Sequence, residues 1–306
     1  MSTFLGETAR RIRPGAFVAQ IIALRWWRWA AALVLVSSVA ACGAARLAYN
    51  QAPNLTYWWL DDYVDFTSEQ TPVVRDKINA FFDWHRNEEL PAYSRRLEAW
   101  QALATRDISA AEACTEYDAV RERIDRATER MVPDLARMAL QLGPGQLDAI
   151  QQRQAKRNEE FSQDHLQPTR EKELDDRLKK AVDRSERLYG TLTTEQRQLL
   201  RAQLQRSPWD PQRTHAERLR RQADLLQTLQ DIKARPEQAE SLVRGHIERI
   251  ARSPTPGYAD YSRSLVQHGC AQFAALHNST SEAQRAQAVS ALKGYTDDVI
   301  RLAGRR

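Results

Sequence analysis

Three segments of this chain carry the same signal for the start of an α-helix. Each has an apolar residue, a hydroxyl residue, two spacers and then Gln or Glu: Phe66–Gln70, Ile108–Glu112 and Leu192–Gln196. In such a capping box the hydroxyl accepts a hydrogen bond from the backbone N–H three residues on. The Gln or Glu side chain in turn accepts a hydrogen bond from the backbone N–H of the hydroxyl residue. Looser versions are found at Leu142–Gln146, Ala234–Gln238 and Thr280–Gln284. The recurrence predicts a chain divided into helices that begin at these points.

Apolar residues between these signals recur at helical spacing. Leu219, Ala223 and Leu226 stand three or four positions apart, which puts them on one face of a helix. No stretch alternates apolar and polar residues at the period of two that is typical of β-strands, and the 306 residues include only 11 glycines. The fold class that we predict is all-α, a multi-helix bundle without strands.

The start signals also repeat at a fixed interval. Thr67 and Thr193 are 126 residues apart, and residues 66–126 align with 192–252 without gaps. In this alignment 12 of 61 positions are identical, against roughly four expected from composition. We interpret the repeat as an internal duplication, although similar amphipathic helices could also align by chance. The predicted organisation is a first half at about 66–141, joining helices within 144–190, and a second half at 192–303.

The beginning of the chain looks like the signal of a bacterial lipoprotein. An apolar run, Trp29–Ala41, ends in the small residues that precede Cys42 in a lipobox. The run is shorter than the roughly 20 residues needed to span a bilayer. We expect cleavage between Ala41 and Cys42, with lipid attached to Cys42. The alternative is an uncleaved transmembrane anchor that extends back through Arg25 and Arg28, each of which would cost about 2.5–3.5 kcal/mol at mid-membrane.

The predicted signal also indicates a location and a domain plan. Gly43 stands where an aspartate would favour retention at the inner membrane, so we expect a lipid anchor in the outer membrane and a body facing the periplasm. The predicted domains are a signal peptide at 1–41, a tether at 42–54 and a helical periplasmic domain at 55–306. Residues 1–41 hold five arginines and one glutamate, so their removal lowers the net charge from +5 to +1. The chain therefore gives no indication of a nucleic-acid partner.

Two cysteines remain besides the one in the lipobox. Cys114 and Cys270 are far apart in sequence, and the oxidising periplasm permits a disulfide between them. Closing so long a loop would contribute about 4–5 kcal/mol in the chain-entropy model. Two buried free thiols, packed as small apolar side chains, are the alternative.

An aromatic and acidic segment follows the predicted tether. Tyr57–Phe66 contains four aromatic residues and three aspartates before its final phenylalanine. This segment, the lipobox and the helical body resemble a family of uncharacterised lipoproteins of Gram-negative bacteria. More weakly, the pentapeptides Phe66–Gln70 and Leu192–Gln196 resemble the Leu-Thr-x-x-Gln motif of Spy-type periplasmic chaperones, which cradle unfolded clients. The first resemblance implies a lipid-anchored helical protein without an assigned activity, and the second implies binding of protein clients.

The same segment holds the candidate ligand-binding residues. One interpretation is a helix that docks into the bundle through the stripe Leu55, Trp59, Tyr63 and Phe66. The other is a ligand site, in which aromatic side chains stack on a sugar or peptide and carboxylates bind its hydroxyls or a cation. The candidate residues for such a site are Trp58, Trp59, Asp61, Asp62 and Tyr63.

Motifs for catalysis, metals and cofactors are missing from the sequence. No two of the six histidines have the four-residue spacing of a zinc-binding helix, and no nucleophile elbow, phosphate loop or dinucleotide fingerprint occurs. We therefore expect no metal, no cofactor and no catalytic residue. The predicted function is a non-catalytic binding or envelope-assembly factor for protein partners. The alternative is an enzyme that acts on cell-wall or surface glycans through Asp61 and Asp62 with the neighbouring tryptophans.

Overall fold

The structure, a computed structural model, describes residues 46–304. Helices make up most of this range and no residue in it lies in a strand, which confirms the all-α prediction. The helices are α1 (46–64), α2 (Gln70–Trp84), α3 (Leu90–Leu103), α4 (Ala110–Gln141), α5 (Pro144–His165), α6 (Arg170–Tyr189), α7 (Thr194–Gln205), α8 (Pro211–Ala234), α9 (Ala239–Ala251), α10 (Tyr258–Asn278) and α11 (Glu282–Ala303). The predicted signal peptide and Cys42 lie outside the described residues. Across the described range, no helix combines the length and the apolar character that a membrane span requires.

The predicted capping boxes account for several helix starts. The hydroxyls that cap α4, α7 and α11 are those of Ser109, Thr193 and Ser281. At the start of α4, the Ser109 hydroxyl accepts from the Glu112 N–H at 3.1 Å, and the Glu112 carboxylate accepts from the Ser109 N–H at 2.8 Å. The same two bonds form between Thr67 and Gln70, although α2 begins only at Gln70. The weak signal at Ala234–Gln238 gives a 3₁₀ turn instead, since Arg235 has no hydroxyl to act as a cap.

The capping glutamines pair across the bundle as two glutamine clasps. Gln70 and Gln146 exchange amide hydrogen bonds at 3.2 and 2.7 Å, and Gln196 and Gln284 do so at 2.8 and 2.9 Å. The four amides also donate, in the order given, to the backbone carbonyls of Gln141, Asp65, Ser279 and Thr191. Each clasp therefore ties the starts of two helices to the turns that precede them.

Helices distant in sequence interlock in the bundle. The last helix, α11, packs along α3, while α5 packs against α8. Gln101 of α3 donates to the hydroxyl of Thr296 of α11 at 2.9 Å. Helix α4 contacts both α9 and α10, and the Cys114–Cys270 disulfide joins α4 to α10 with a Cα–Cα distance of 5.3 Å. Helices of one predicted half are therefore in direct contact with helices of the other.

Three apolar clusters form the interior of the described range. One lies where α4, α5, α8 and α9 meet, and its Val132 and Ile232 side chains have no exposed surface. A second cluster lies among α6, α7, α10 and α11, around Leu200 and Ala288. The third holds α1 against α2 through Tyr57 and its neighbours. The first cluster forms the floor of the groove described below.

A π-helical turn, His85–Glu89, joins α2 to α3 and buries a carboxylate. Glu89 has no exposed surface, and its oxygens lie 2.9 Å from the Nε of Arg123 and 3.1 Å from the Nε of Arg126. Both arginines belong to α4. The π turn inserts one extra residue into the helical path, so that side chains after it are rotated relative to a continuous α-helix. This rotation directs Glu89 towards α4.

Residues 46–54, which we predicted as part of a tether, belong to α1. Tyr49 packs against α2 and the π turn, which fixes α1 from residue 49 onward. Its ring meets Phe82 edge-on at a centroid distance of 5.9 Å, and its hydroxyl is 2.9 Å from Nδ1 of His85. Burial raises the pKa of Tyr49 to about 12. Residues 49–54 are therefore helical, with Tyr49 packed against α2.

Candidate functional site

A groove of about 630 Å³ opens between α1, α4, α5, α8 and α9, and we call it the α8 groove. One end is apolar, and its walls include Leu60, Val64, Leu135, Met138, Leu229 and Ile232. The other end is polar, and its walls include Thr214, Glu217, Arg218, Arg221 and Gln222. Ligand-binding clefts commonly have this size and this mixture of an apolar wall with a few polar groups. The α8 groove is therefore the candidate functional site.

Two of the five predicted ligand residues line the α8 groove. Trp59 and Tyr63 lie one turn apart on α1, with ring centroids 5.4 Å apart. Trp59 is 56% exposed, which leaves its ring accessible at the rim. The predicted docking stripe is wrong in part, because Leu55 is also about half exposed and Tyr57 is buried in place of Trp59. Helix α1 is thus rotated from the orientation that the stripe required.

The other three predicted residues do not line the α8 groove. Trp58 is 58% exposed on a different face of α1, and Asp62 forms an ion pair with Arg153 of α5. Asp61 accepts a hydrogen bond from the Phe66 N–H at 3.1 Å, just beyond the end of α1. Asp65 adopts a left-handed φ of 57° there, so Asp61 has a role in ending the helix. The two adjacent aspartates therefore have separate structural partners and do not share a cleft.

A buried carboxylate organises the polar end of the α8 groove. Glu217 is 3% exposed, and it accepts from Arg220 and Arg221 at 2.9 Å. The hydroxyls of Ser253 and Thr255 donate to it at 2.8 and 2.9 Å. Burial alone would raise the pKa of Glu217, but the hydrogen bonds from these four side chains outweigh it and lower the pKa to about 2. Glu217 is therefore ionised and fully engaged at neutral pH.

An aspartate–histidine pair lies behind the same wall. Nδ1 of His246, which lines the α8 groove, is 2.7 Å from Asp224, and Arg249 donates to the other oxygen of Asp224 at 2.7 Å. Burial lowers the pKa of His246 more than Asp224 raises it, so the imidazole is neutral at pH 7. Among the described residues, no hydroxyl or thiol hydrogen-bonds to His246, and no three His, Cys, Asp or Glu side chains form a metal-binding group. Within the described range, the pair therefore has no hydroxyl or thiol partner of the kind that completes a nucleophilic triad.

One cation of the α8 groove, Arg218, has no counter-charge among the residues that the structure describes. Arg218 donates from Nε to Asn158 at 2.8 Å and from Nη2 to the carbonyl of Arg157 at 3.4 Å. Its guanidinium carbon lies 5.8 Å from the ring centroid of Phe161. Within residues 46–304, no carboxylate forms an ion pair with it. The polar end of the α8 groove is therefore positively charged at Arg218.

The low pKa of Glu217 gives a test of this network by pH. Because the pKa falls from 4.5 to about 2 on folding, the stabilisation is present above pH 4.5 and is lost as the pH falls through 2. We expect this group to account for about 3 kcal/mol of the unfolding free energy lost between pH 5 and pH 2. Urea unfolding at several pH values, followed by circular dichroism, measures the loss. A Glu217→Gln variant should lose correspondingly less, and parallel pH dependences in the two proteins would contradict the assignment.

Sequence reasoning missed most of this site because its polar members are distant in sequence. Asp224 and His246 are 22 residues apart and belong to α8 and α9, and Arg218 meets an asparagine 60 residues earlier. No local motif contains such pairs. The only signal in the sequence was the run of arginines at 218, 220 and 221, which a solvated helix face would explain equally well.

Comparison with known proteins gives one match. A family model described as a family of unknown function (DUF6279) matches residues 62–246, about three fifths of the chain. The matched range contains the end of α1 and continues to His246 of α9, so it includes most of the α8 groove. No curated protein and no solved structure matches the chain.

Proposed function

Because the chain belongs to the DUF6279 family, whose function is unknown, we propose a function from the geometry of its site. The protein is a non-catalytic binding factor of the bacterial envelope, and the α8 groove holds an apolar segment of a protein partner. The observation that carries this proposal is an open groove that combines a long apolar wall with an exposed tryptophan at its rim. Tryptophan is enriched among the residues that dominate protein interfaces.

The shape of the α8 groove suits an amphipathic helix or a short extended segment. Helices bind in such grooves through apolar side chains spaced three or four residues apart. The apolar end offers leucine, isoleucine and methionine side chains on several helices, while Trp59 and Tyr63 cover one side. A partner that inserted its apolar side chains here would remove an exposed apolar surface from water, which drives association.

The polar groups of the groove support binding more than catalysis. A general acid or base needs a pKa near the working pH and a free position for proton transfer. Glu217 has a pKa of about 2 and accepts from four side chains, so it is a structural anion. The neutral His246 is held by Asp224, which is itself held by Arg249.

The chain is tethered to the outer membrane through lipid on Cys42 after removal of residues 1–41, and its body faces the periplasm. The lipobox pattern that ends at Cys42 supports this part of the proposal. The Cys114–Cys270 disulfide supports it independently, because structural disulfides persist in oxidising compartments such as the periplasm. The likeness to uncharacterised Gram-negative lipoproteins agrees with both observations.

The body arose by duplication of a helical unit. The identities between residues 66–126 and 192–252 support this. The two glutamine clasps also support it, because in both of them each glutamine amide donates to the backbone carbonyl five residues before its partner glutamine. Gln70 and Gln196 occupy equivalent positions in this alignment. Gln146 and Gln284 are separated by more residues in the sequence than Gln70 and Gln196 are. This difference corresponds to a short insertion in the second half.

A photocrosslinking experiment tests the proposed function. Ile250 lines the α8 groove and is 38% exposed, so it tolerates replacement by photoreactive benzoylphenylalanine in the full-length chain. Irradiated envelopes should give a protein adduct whose yield falls at least about 10-fold when Trp59→Glu is added, because a charge would then stand at the apolar rim. The adduct is measured by immunoblotting and its peptide is identified by mass spectrometry.

Trp58→Glu is the matched control for this experiment. The two tryptophans are adjacent and similarly exposed, but only Trp59 lines the α8 groove. The adduct should therefore persist in Trp58→Glu. An adduct that survives Trp59→Glu, or that both substitutions abolish equally, would contradict binding in the groove, and an adduct of acyl lipid would contradict a protein occupant.

A further inference from the structure

The charges of the α8 groove point to the chemistry of its occupant, if the proposed function holds. We propose that the bound segment carries a carboxylate beside its apolar residues, and that Arg218 binds this carboxylate. The carboxylate belongs to an Asp or Glu side chain or to the end of the partner chain.

The first argument is the balance of charge. Three charged side chains line the groove wall on α8, namely Glu217, Arg218 and Arg221. Glu217 and Arg221 neutralise each other at 2.9 Å, and Arg220 adds a further donor to Glu217 from outside the groove. Arg218 is left as a half-buried cation beside apolar surface. An anion that met it there would form a charge-assisted hydrogen bond in surroundings that exclude much of the solvent.

The second argument is that Arg218 is held in place before any ligand binds. Asn158 accepts from its Nε, and the Asn158 and Gln222 side chains exchange amide hydrogen bonds at 2.7 and 2.9 Å. A guanidinium has five N–H donors, and the contacts with Asn158 and the Arg157 carbonyl use two of them. The remaining donors are enough for a bidentate carboxylate. A fixed arginine also loses less conformational entropy on binding than a mobile one.

The third argument sets the spacing in the ligand. Arg218 and Leu229 line the same groove and lie on the continuous helix α8, separated by about three helical turns. At 1.5 Å per residue, the helix carries them roughly 16 Å apart. A partner segment would cover that distance with about 11 helical residues or about five extended residues. The expected ligand is thus an apolar helix or strand with an acidic group near one end.

Alkyl probes of opposite charge test this inference on the purified full-length protein. Dodecanoate and dodecyltrimethylammonium have the same apolar chain, and isothermal titration calorimetry measures the affinity of each. We expect wild type to bind dodecanoate at least about 10-fold more tightly than the cation. Arg218→Gln and Arg218→Met should bring the ratio close to one, since both keep an apolar stem and remove the charge. Arg218→Lys should keep part of the preference.

Arg263→Gln is the control, because Arg263 is an exposed cation of α10 that does not line the α8 groove. A preference for dodecanoate that survives both neutral substitutions would overturn the role of Arg218 and leave the groove as an apolar site. Failure of both probes to bind wild type would instead overturn the proposed function. If one neutral variant does not fold, the other and Arg218→Lys decide the question.

The crosslinked product at Ile250 identifies the source of the carboxylate. A crosslinked peptide that contains an Asp, a Glu or a chain end within the expected distance supports a protein segment. A crosslinked peptide without any of these would overturn the inference. A fatty-acyl adduct would carry the same carboxylate chemistry from a lipid and would overturn the choice of a protein occupant.

Discussion

Replacing Glu89 by alanine is expected to lower the free energy of unfolding by about 3–5 kcal/mol, measured by urea denaturation. Glu89 has no exposed surface, and its carboxylate lies between Arg123 and Arg126 of α4. Removal of the anion leaves the half-buried Arg123 without its partner and opens a space at the junction of α2, α3 and α4. The loss is large because the substitution removes the one anion that both arginines share and leaves an unfilled space at a fully buried position.

Glu88 provides the control, since it precedes Glu89 in the same π turn but has a side chain that is 55% exposed. It lies 3.7 Å from Arg126, and an exposed ion pair of this kind contributes about 0–1 kcal/mol. Glu88→Ala should therefore change stability by less than about 1 kcal/mol. Glu89→Gln keeps the shape of the side chain and should fall between the two alanine variants. Equal stabilities of Glu88→Ala and Glu89→Ala would refute the role assigned to the buried carboxylate.

Reduction of the Cys114–Cys270 disulfide is the second change with a large expected effect. The bond closes a loop with a sequence separation of 156, so its loss adds conformational freedom mainly to the unfolded chain. The chain-entropy relation gives about 4–5 kcal/mol for a loop of this length. We expect the urea midpoint to fall markedly when dithiothreitol is added to the wild-type protein.

A Cys114→Ser/Cys270→Ser double variant separates this effect from other actions of the reductant. It should come close to the stability of reduced wild type, slightly below it, and should not respond to dithiothreitol. Buried Cys270 makes the serine at 270 a mild additional cost, which a Cys270→Ala version avoids. An unchanged midpoint on reduction of the wild type would mean that the bond contributes nothing to stability.

The helices were predictable because their start signals are local. Ser109, Thr193 and Ser281 each stand three residues before the side chain that completes a capping box, so the whole signal fits within one turn. The absence of a period-two pattern was equally local information. The joining helices predicted within 144–190 correspond to α5 and α6.

The rotation of helices about their axes was not predictable from the same signals. Half of the residues in Tyr57–Phe66 are aromatic, so several rotations of α1 would bury a comparable apolar surface. Tertiary contacts decide among them: Tyr57 lies against Phe66 with centroids 6.2 Å apart and beneath Arg75 at 3.7 Å, and Trp59 turns outward. The rotation of α1 thus depends on its contacts with α2, and the residue pattern of α1 alone carries no information about those contacts.

The buried carboxylates were missed for a related reason. Helical periodicity does not reveal the π turn between α2 and α3, because a π turn has no characteristic composition. One inserted residue then moves every later side chain to a new face, and Glu89 is buried. Glu217 gave no warning either, since glutamate beside arginine on a helix is usually exposed.

The packing of α11 along α3 has a consequence for how this polypeptide matures. The bond between Gln101 and Thr296 joins residues 195 positions apart, so α3 stays without its main neighbour until α11 has been synthesised. Loss of α11, by early termination or by proteolysis, would leave α3 without its main neighbour. Such a chain would be prone to aggregation. Protease resistance of α3 should therefore appear only after α11 has been synthesised.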